Sequence, residues 1–318
     1  MDISIIIVNY NSINMVIDCI NSIFEKTKNV TYEIIVVDNA SQNNIEQVLR
    51  KEFGNNVKII LSNKNLGFGK ANNLGASYAK GKYLFLLNPD TILINNAIKK
   101  LYDYLQSNPK VGAAGGNLYT PELLPTPSHC LIFDDLKTEY NKSTWHNIIK
   151  EKIVQKIHMK KQGILNKKVF NYSGYVQKVA YVFGADMMLS KELFDELNGF
   201  DPDFFMYAEE QELSWRISRK GYDIVNVPDA KIIHLEGATV KEQNKFSERQ
   251  FKMRMHGTLT YFKKRFGITG VKEFYNLRSR RYSRLIKIAK SQHKLNNSFV
   301  PLIQKQCLDE VFQNFLKK

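Results

Sequence analysis

Three groups of residues in this 318-residue chain are of types that could do chemistry. Leu87-Asn88-Pro89-Asp90 places a carboxylate just past an apolar run, Tyr83 to Leu87. Hard divalent cations that keep several waters are held by one or two carboxylates plus substrate phosphates, and Asp90 is placed for that; the same residues also make a good turn. Phe204 to Leu213 sets Glu209, Glu210 and Glu212 beside Phe205, Met206 and Tyr207. A carboxylate next to aromatics has its pKa raised, as a general base requires, and paired acids push each other's values apart. The same acids would equally suit the first turn of a helix. His234 follows the last apolar stretch of the body, where a lone histidine is either a hydrogen-bonded structural residue or a ligand, depending on what accompanies it.

Such residues work only if strands and helices bring them to one place. The first hundred residues alternate short apolar runs with amphipathic stretches, the pattern of βαβ units on a parallel sheet. Ile3 to Val8, Glu33 to Val37, Val57 to Leu61 and Tyr83 to Leu87 read as strands, the first buried on both faces. Ser12 or Asn14 caps a helix carrying Val16, Ile20 and Ile23, and Asn44 to Phe53 and Lys70 to Ala79 read as two more. Polar residues follow each strand: Asn9 and Asn11, Asp38 and Asn39, Asn63 and Asn65, Asn88 and Asp90. In open α/β sheets the ligand crevice lies beyond the carboxyl ends of the strands, so these clusters point to one site. Further on, Gly112 to Tyr119 reads as a strand, Trp145 to Lys161 as a surface helix, Val179 to Leu189 as an imperfect strand around Gly184, and Lys191 to Leu197 as a short helix. Phe204 to Lys220 becomes helical through Leu213 and Ile217, and Tyr222 to Val227 and Lys231 to His234 close the body as short strands.

Asp38, ending the second strand, can accept hydrogen bonds from a ribose or base, or simply cap a turn. Asn9-Tyr10-Asn11-Ser12 stands where a dinucleotide fold needs Gly-x-Gly-x-x-Gly, which argues against an NAD or FAD enzyme. Gly67-Phe68-Gly69-Lys70 lacks the glycine spacing and following Ser or Thr of a P-loop. Cys19, Cys130 and Cys307 form neither a disulfide framework nor a zinc pattern. The longest uninterrupted apolar runs fall far short of the roughly 18–20 residues that span a bilayer, and the N-terminus lacks the basic flank and apolar segment of a secretory signal. A cytoplasmic protein is expected.

Together these segments carry a resemblance. Ile5 to Asn11, Val36 to Ser41, Asn65 to Asn73, Leu87-Asn88-Pro89-Asp90, and Gly199-Phe200-Asp201 through Arg216 resemble, in order, the motifs of family 2 glycosyltransferases, in particular the rhamnosyltransferase-like bacterial branch. The resemblance covers about residues 3–240. It implies the α/β GT-A nucleotide-sugar-binding fold, a UDP- or dTDP-sugar donor such as dTDP-rhamnose, Mg²⁺ or Mn²⁺, and inversion at the anomeric carbon. By the same resemblance Asn9 and Tyr10 line the nucleotide pocket, Asp38 binds the pyrimidine imide, and Gly67 and Asn72 shape the donor pocket. Asn88 and Asp90 stand at the metal motif, where Asn88 departs from a first aspartate, and His234 is a further metal ligand. Glu209 and Glu210 occupy the place of the family's Glu-Asp pair, with Glu210 on the usual base. Gly184-Ala185-Asp186 is placed along the acceptor side, with Asp186 a candidate hydroxyl contact.

The net charge of +15 is unevenly spread: residues 241–318 hold 19 Lys and Arg against 5 Asp and Glu, leaving 27 and 26 for residues 1–240. A near-neutral catalytic domain over 1–240 with a basic, mainly helical region over 241–318 is expected. Residues 276–294, with Arg278, Arg280, Arg281 and Arg284, read as a helix for an anionic membrane surface, or as a helix packed on the body with a solvated basic face. On this reading the protein is peripheral on the inner face of the plasma membrane, and its partners are the nucleotide sugar and a saccharide or lipid-linked acceptor. The alternatives are a nucleotidyltransferase, disfavoured by the lack of a Gly-rich triphosphate loop, and a nucleic-acid-binding protein, disfavoured by the neutral body.

Overall fold

The computed structural model describes residues 1–42, 44–158, 169–235, 246–291 and 295–317. In chain order the elements are β1 (Ile3–Asn9), α1 (Ile13–Lys26), β2 (Tyr32–Asp38), α2 (Ile45–Phe53), β3 (Val57–Leu61), α3 (Phe68–Ser77), β4 (Tyr83–Leu87), β5 (Thr91–Leu93), α4 (Ala97–Ser107) and β6 (Val111–Tyr119). There follow β7 (His129–Cys130), α5 (Leu136–Ser143), α6 (Trp145–His158), β8 (Gln177–Val179), β9 (Tyr181–Val182), β10 (Asp186–Ser190), α7 (Lys191–Glu196), α8 (Glu209–Arg219), β11 (Asp223–His234), α9 (Glu248–Ser291) and α10 (Leu295–Leu316). Lys161 and Lys294, the expected ends of two helices, lie outside the described residues.

The chain divides into two compact units: residues 1–133, 165–205 and 209–240, and residues 134–164, 206–208 and 241–318. Where the sequence suggests a single cut after residue 240, α5 and α6 therefore group with the C-terminal helices.

In the first unit the main sheet runs β3-β2-β1-β4-β10-β6-β11-β5, with β8 on β11. β1 to β4 are mutually parallel, β10 is antiparallel to both its neighbours, and β11 runs parallel to β6 and antiparallel to β5. The continuous apolar run of β1 is explained by cover on both faces: Ile5 and Ile7 pack with the buried side of α1 and α4, Ile6 and Val8 with α3 and α8. Ser12 does stand at the N-cap of α1, but its hydroxyl donates to Asn9 Oδ1 and caps nothing. The Val179–Leu189 run breaks into three strands, and the two expected closing strands are one, β11, whose pairing with β6 shifts register between Val227 and Lys231. Pro228 in that gap has no N–H for a ladder, which is why the sequence reads as two pieces.

The second unit is helical. Gly267, with φ 65° and ψ −171°, breaks α9, and its halves fold back on each other through Phe262 against Phe274 (ring centroids 4.5 Å) and Phe251 against Tyr282 (6.1 Å). α10 packs on both halves: Phe312 stacks on Tyr275 at 3.9 Å, and Lys252 pairs with Glu310 at 2.7 Å. Here the expectation for the arginines is corrected. Arg278 pairs with buried Glu139 at 2.6 Å, Arg281 pairs with Glu151 at 2.6 Å and donates to the Lys142 carbonyl, and Arg284 donates to the Ser143 carbonyl while lying over the Trp145 ring. Three of the four side chains assigned to a membrane are thus internal links from α9 to α5 and α6. Among the described residues no helix is long and apolar enough to cross a membrane.

Candidate active site

At the carboxyl ends of β1 and β2, Asn9 and Asp38 are register partners. Asn9 Nδ2 donates to Asp38 Oδ1 (2.9 Å) and Ser41 Oγ (2.8 Å), and its Oδ1 accepts from the amide and hydroxyl of Ser12. Every hydrogen-bonding atom of the Asn9 amide is thereby engaged, so Asn9 orients Asp38 rather than reaching a ligand. Asp38 also accepts from the Ser41 amide at 3.1 Å, and Tyr10 is exposed at the rim. Asn39 closes the next layer, accepting from the Leu66 amide (2.7 Å) and donating to Asn65 Oδ1 (3.1 Å).

The Gly67–Asn73 segment packs more than it lines. Gly67 has φ 82°, and a Cβ there would lie 2.1 Å from the Phe205 carbonyl oxygen, which accepts the Phe68 amide at 2.9 Å. Asn72 is buried and donates to the Phe68 carbonyl. Asn73 grips Phe200 like a strand partner, donating to its carbonyl (2.8 Å) and accepting its amide (2.9 Å). Arg216 holds the other side of this loop: it forks onto Glu212 with two contacts of 2.8 Å and donates to the carbonyls of Leu197 and Gly199. Glu212 and Arg216 are therefore the frame that fixes the loop before α8. Asn73, Ser41 and Arg216 are legible only as motif neighbours, because each has partners far away in sequence: Phe200 for Asn73, Asn9 for Ser41, and the carbonyls of Leu197 and Gly199 for Arg216.

That frame sets the acidic pair. The chain enters α8 through Tyr207 and Ala208, both left-handed with φ 74° and 71°, a costly conformation for residues with side chains. Glu209 is buried, and among the described residues its Oε2 has no hydrogen-bond partner. Burial drives its carboxyl well above the usual range, and the adjacent Glu210 adds to the rise. Glu210 is half-buried and is raised by desolvation, against which the amides of Glu210 and Gln211 pull it back. Its Cβ lies 3.8 Å from where a Cβ on Gly184 would stand, which places the two within van der Waals reach.

The Gly184 strand connection leads to the third group. The Asn88 amide donates to the Ala185 carbonyl (2.9 Å), and the Asn88 carbonyl accepts from the Thr91 hydroxyl (2.7 Å). Two residues on, Asp90 Oδ1 lies 3.4 Å from His234 Nε2, with side chains 23% and 10% exposed. The pairing of β5 with β11, His234 opposite Thr91, brings them together, and the Leu235 amide closes on the Asp90 carbonyl at 2.7 Å. The pair offers an anionic oxygen and an imidazole nitrogen. Among the described residues no third His, Cys, Asp or Glu joins such a group.

Asp186 is a correction. It is wholly buried, accepts the Gly116 amide at 2.5 Å, and has an Oδ1 without a hydrogen-bond partner among the described residues, so it cannot meet an acceptor hydroxyl. Burial pushes its pKa up from 3.8 to about 8. The folded state then holds a proton that the unfolded state releases, so this group's stability contribution is full below about pH 4 and declines as pH rises to about 8. Asp186→Asn is expected to flatten that decline, by up to about 1.4 kcal/mol per pH unit, in urea unfolding compared with the parent across this window.

Known proteins similar to this chain point to one family and one fold. Residues 4–163 match the model of glycosyl transferase family 2. The rhamnosyltransferase WbbL of Escherichia coli K12 is 26% identical over 238 residues, covering 72% of this chain and 81% of that protein. The N-acetylglucosaminyl-diphospho-decaprenol L-rhamnosyltransferase of Mycobacterium tuberculosis is 22% identical over 224 residues, 63% of this chain and 66% of its own. Among solved structures, the mannosyltransferase PcManGT of Pyrobaculum calidifontis, in complex with GDP-Man and Mn²⁺, superposes with a TM-score of 0.58 at 13% identity over 99% of this chain and 86% of its own. The mixed sheet with flanking helices is accordingly the GT-A fold, and the chain belongs to glycosyl transferase family 2.

Proposed function

We propose that this glycosyltransferase moves rhamnose or another hexose, with inversion, from a UDP- or dTDP-sugar to a saccharide or lipid-linked acceptor of a bacterial surface polysaccharide. The observation that carries the reading is the placement of a half-buried carboxylate, Glu210, beside the Gly184–Ala185 connection that is tied to Asn88 and leads to the Asp90–His234 pair. In this reading Asp38, held by Asn9 and Ser41, accepts from the pyrimidine imide, and Tyr10 lies at the rim of that pocket. Glu210 takes the proton of the acceptor hydroxyl as its oxygen bonds to C1 of the sugar, while the C1–phosphate bond breaks on the opposite face and the diphosphate departs. One displacement of this kind inverts C1. Burial raises the Glu209 carboxyl well above the usual range, with Glu210 adding to the rise, and in this reading Glu210 is the member of the pair that serves as base.

Asp90 and His234 fit a Mg²⁺ or Mn²⁺ site: one hard oxygen donor and one imidazole, both partly open, leave the remaining positions to diphosphate oxygens and water. Such an ion, when bound, neutralises charge on the departing diphosphate. The resemblance of the relatives named above supports a rhamnosyl or other hexosyl donor. A screen of UDP-, dTDP- and GDP-sugars, scored by release of nucleoside diphosphate with Mn²⁺ or with chelator, tests the reading. Metal-dependent turnover of a UDP- or dTDP-sugar is expected; turnover that survives chelation, or is confined to GDP-sugars, would overturn it.

A further inference from the structure

Charge is divided more sharply by the compact units than by position along the chain. The first unit holds 20 Lys and Arg with 22 Asp and Glu, the second 26 with 9. On the second half of α9 the cations sort onto two faces. Arg278, Arg281 and Arg284 are consumed by the internal links to α5 and α6. Ile268, Lys272, Asn276, Arg280, Lys287 and Lys290, spaced so that they fall along one side of a helix, are all exposed. None of these four cations has an ion-pair partner among the described residues, and the one acid between residues 268 and 291 is Glu273.

We infer that the row Lys272, Arg280, Lys287 and Lys290 is a docking surface for anionic lipid headgroups, with Ile268 as an apolar contact at its end. The row spans about 27 Å at roughly 1.5 Å per helical residue, a straight line of charge suited to a flat surface. The inner arginines fix the helix from behind, so the outer cations meet a surface with little ordering of the backbone. Lipid is favoured over nucleic acid because a lipid-linked acceptor is one of the two classes proposed above, and to that extent the inference rests on that reading. A helix with a basic face binds anionic membranes chiefly by charge, and each cation near the surface contributes about a fivefold gain in binding.

Flotation of the full chain with vesicles of phosphatidylcholine, or of phosphatidylcholine with one third phosphatidylglycerol, tests this without requiring turnover. The protein is expected on the anionic vesicles alone, with binding weakening as salt is raised toward physiological strength, where the Debye length is about 8 Å. Joint Lys272→Gln, Arg280→Gln, Lys287→Gln and Lys290→Gln should lower the partition by about 10²–10³-fold. An equal charge change on the first unit, Lys51→Gln, Lys64→Gln, Lys82→Gln and Lys110→Gln, should leave it nearly unchanged. Three results would overturn the inference: no binding to anionic vesicles at low salt, equal losses in the two variants, or tighter binding to duplex DNA than to the vesicles. Transfer to a soluble acceptor, measured on the same samples, should be unaffected in either variant; its absence in the parent would count against the transferase reading and leave the vesicle result standing.

Discussion

Glu210→Gln is expected to lower transfer by about 10²–10⁴ while nucleotide affinity stays nearly constant. The amide keeps the size of the side chain against Gly184 and removes proton acceptance, so the loss should fall on kcat rather than on donor binding. Because desolvation raises the Glu210 pKa, the acid limb of the parent's rate profile should lie above the ordinary carboxylate range: activity falls as pH drops through the raised value and the base becomes protonated. Glu209→Gln makes the informative contrast. Its carboxyl is raised well above the usual range by burial, and the amide keeps its size, so the substitution should cost far less. If Glu209→Gln instead shows the large loss, the two neighbours exchange roles.

Asp90→Ala should abolish metal-dependent binding of UDP or dTDP, measured by calorimetry with and without Mn²⁺. Removing even an outer partner of a metal site costs about 10–100-fold, so loss of the anionic ligand should exceed that. His234→Ala should weaken the same affinity less, because the imidazole brings no charge to the ion. The fold should survive both, since these side chains sit at strand ends and the backbone bond from Leu235 to the Asp90 carbonyl does not involve them. Unchanged metal-dependent affinity in Asp90→Ala would remove the ion from this pair.

Much of the framework of this candidate site is legible in the sequence, because its signals are local. The bounds of β3 and β4 coincide with largely apolar runs, and the polar residues after β1, β2 and β4 lie at the same, carboxyl end of parallel strands, with Asn9 bonded to Asp38. What escaped depends on partners distant in sequence. Gly67 reads from the sequence as a pocket residue, and its close approach to the Phe205 carbonyl depends on a loop far along the chain. Asp186 has the chemistry of a hydroxyl contact, but the antiparallel pairing of β10 with β4 places it wholly inside the sheet. Arg278 and Arg281 looked like solvated charges because nothing near them in sequence reveals Glu139 and Glu151.

The pairing of β5 with β11 also gives the site a history within each molecule's synthesis. β1 to β4, which carry Asn9 and Asp38, lie within the first ninety residues and pair among themselves, so the Asn9–Asp38 half of the candidate site can assemble while the rest of the chain is still being made. Asp90 must wait for His234, the last residue of the last strand of the sheet, and that contact closes a loop spanning most of the unit. On the proposed function, the groups read as binding the base and those read as binding the diphosphate thus have different ages on the ribosome. A nascent chain halted before β11 would present the first without the second, so the full set of donor-binding groups is itself a signal that the first unit has been completed.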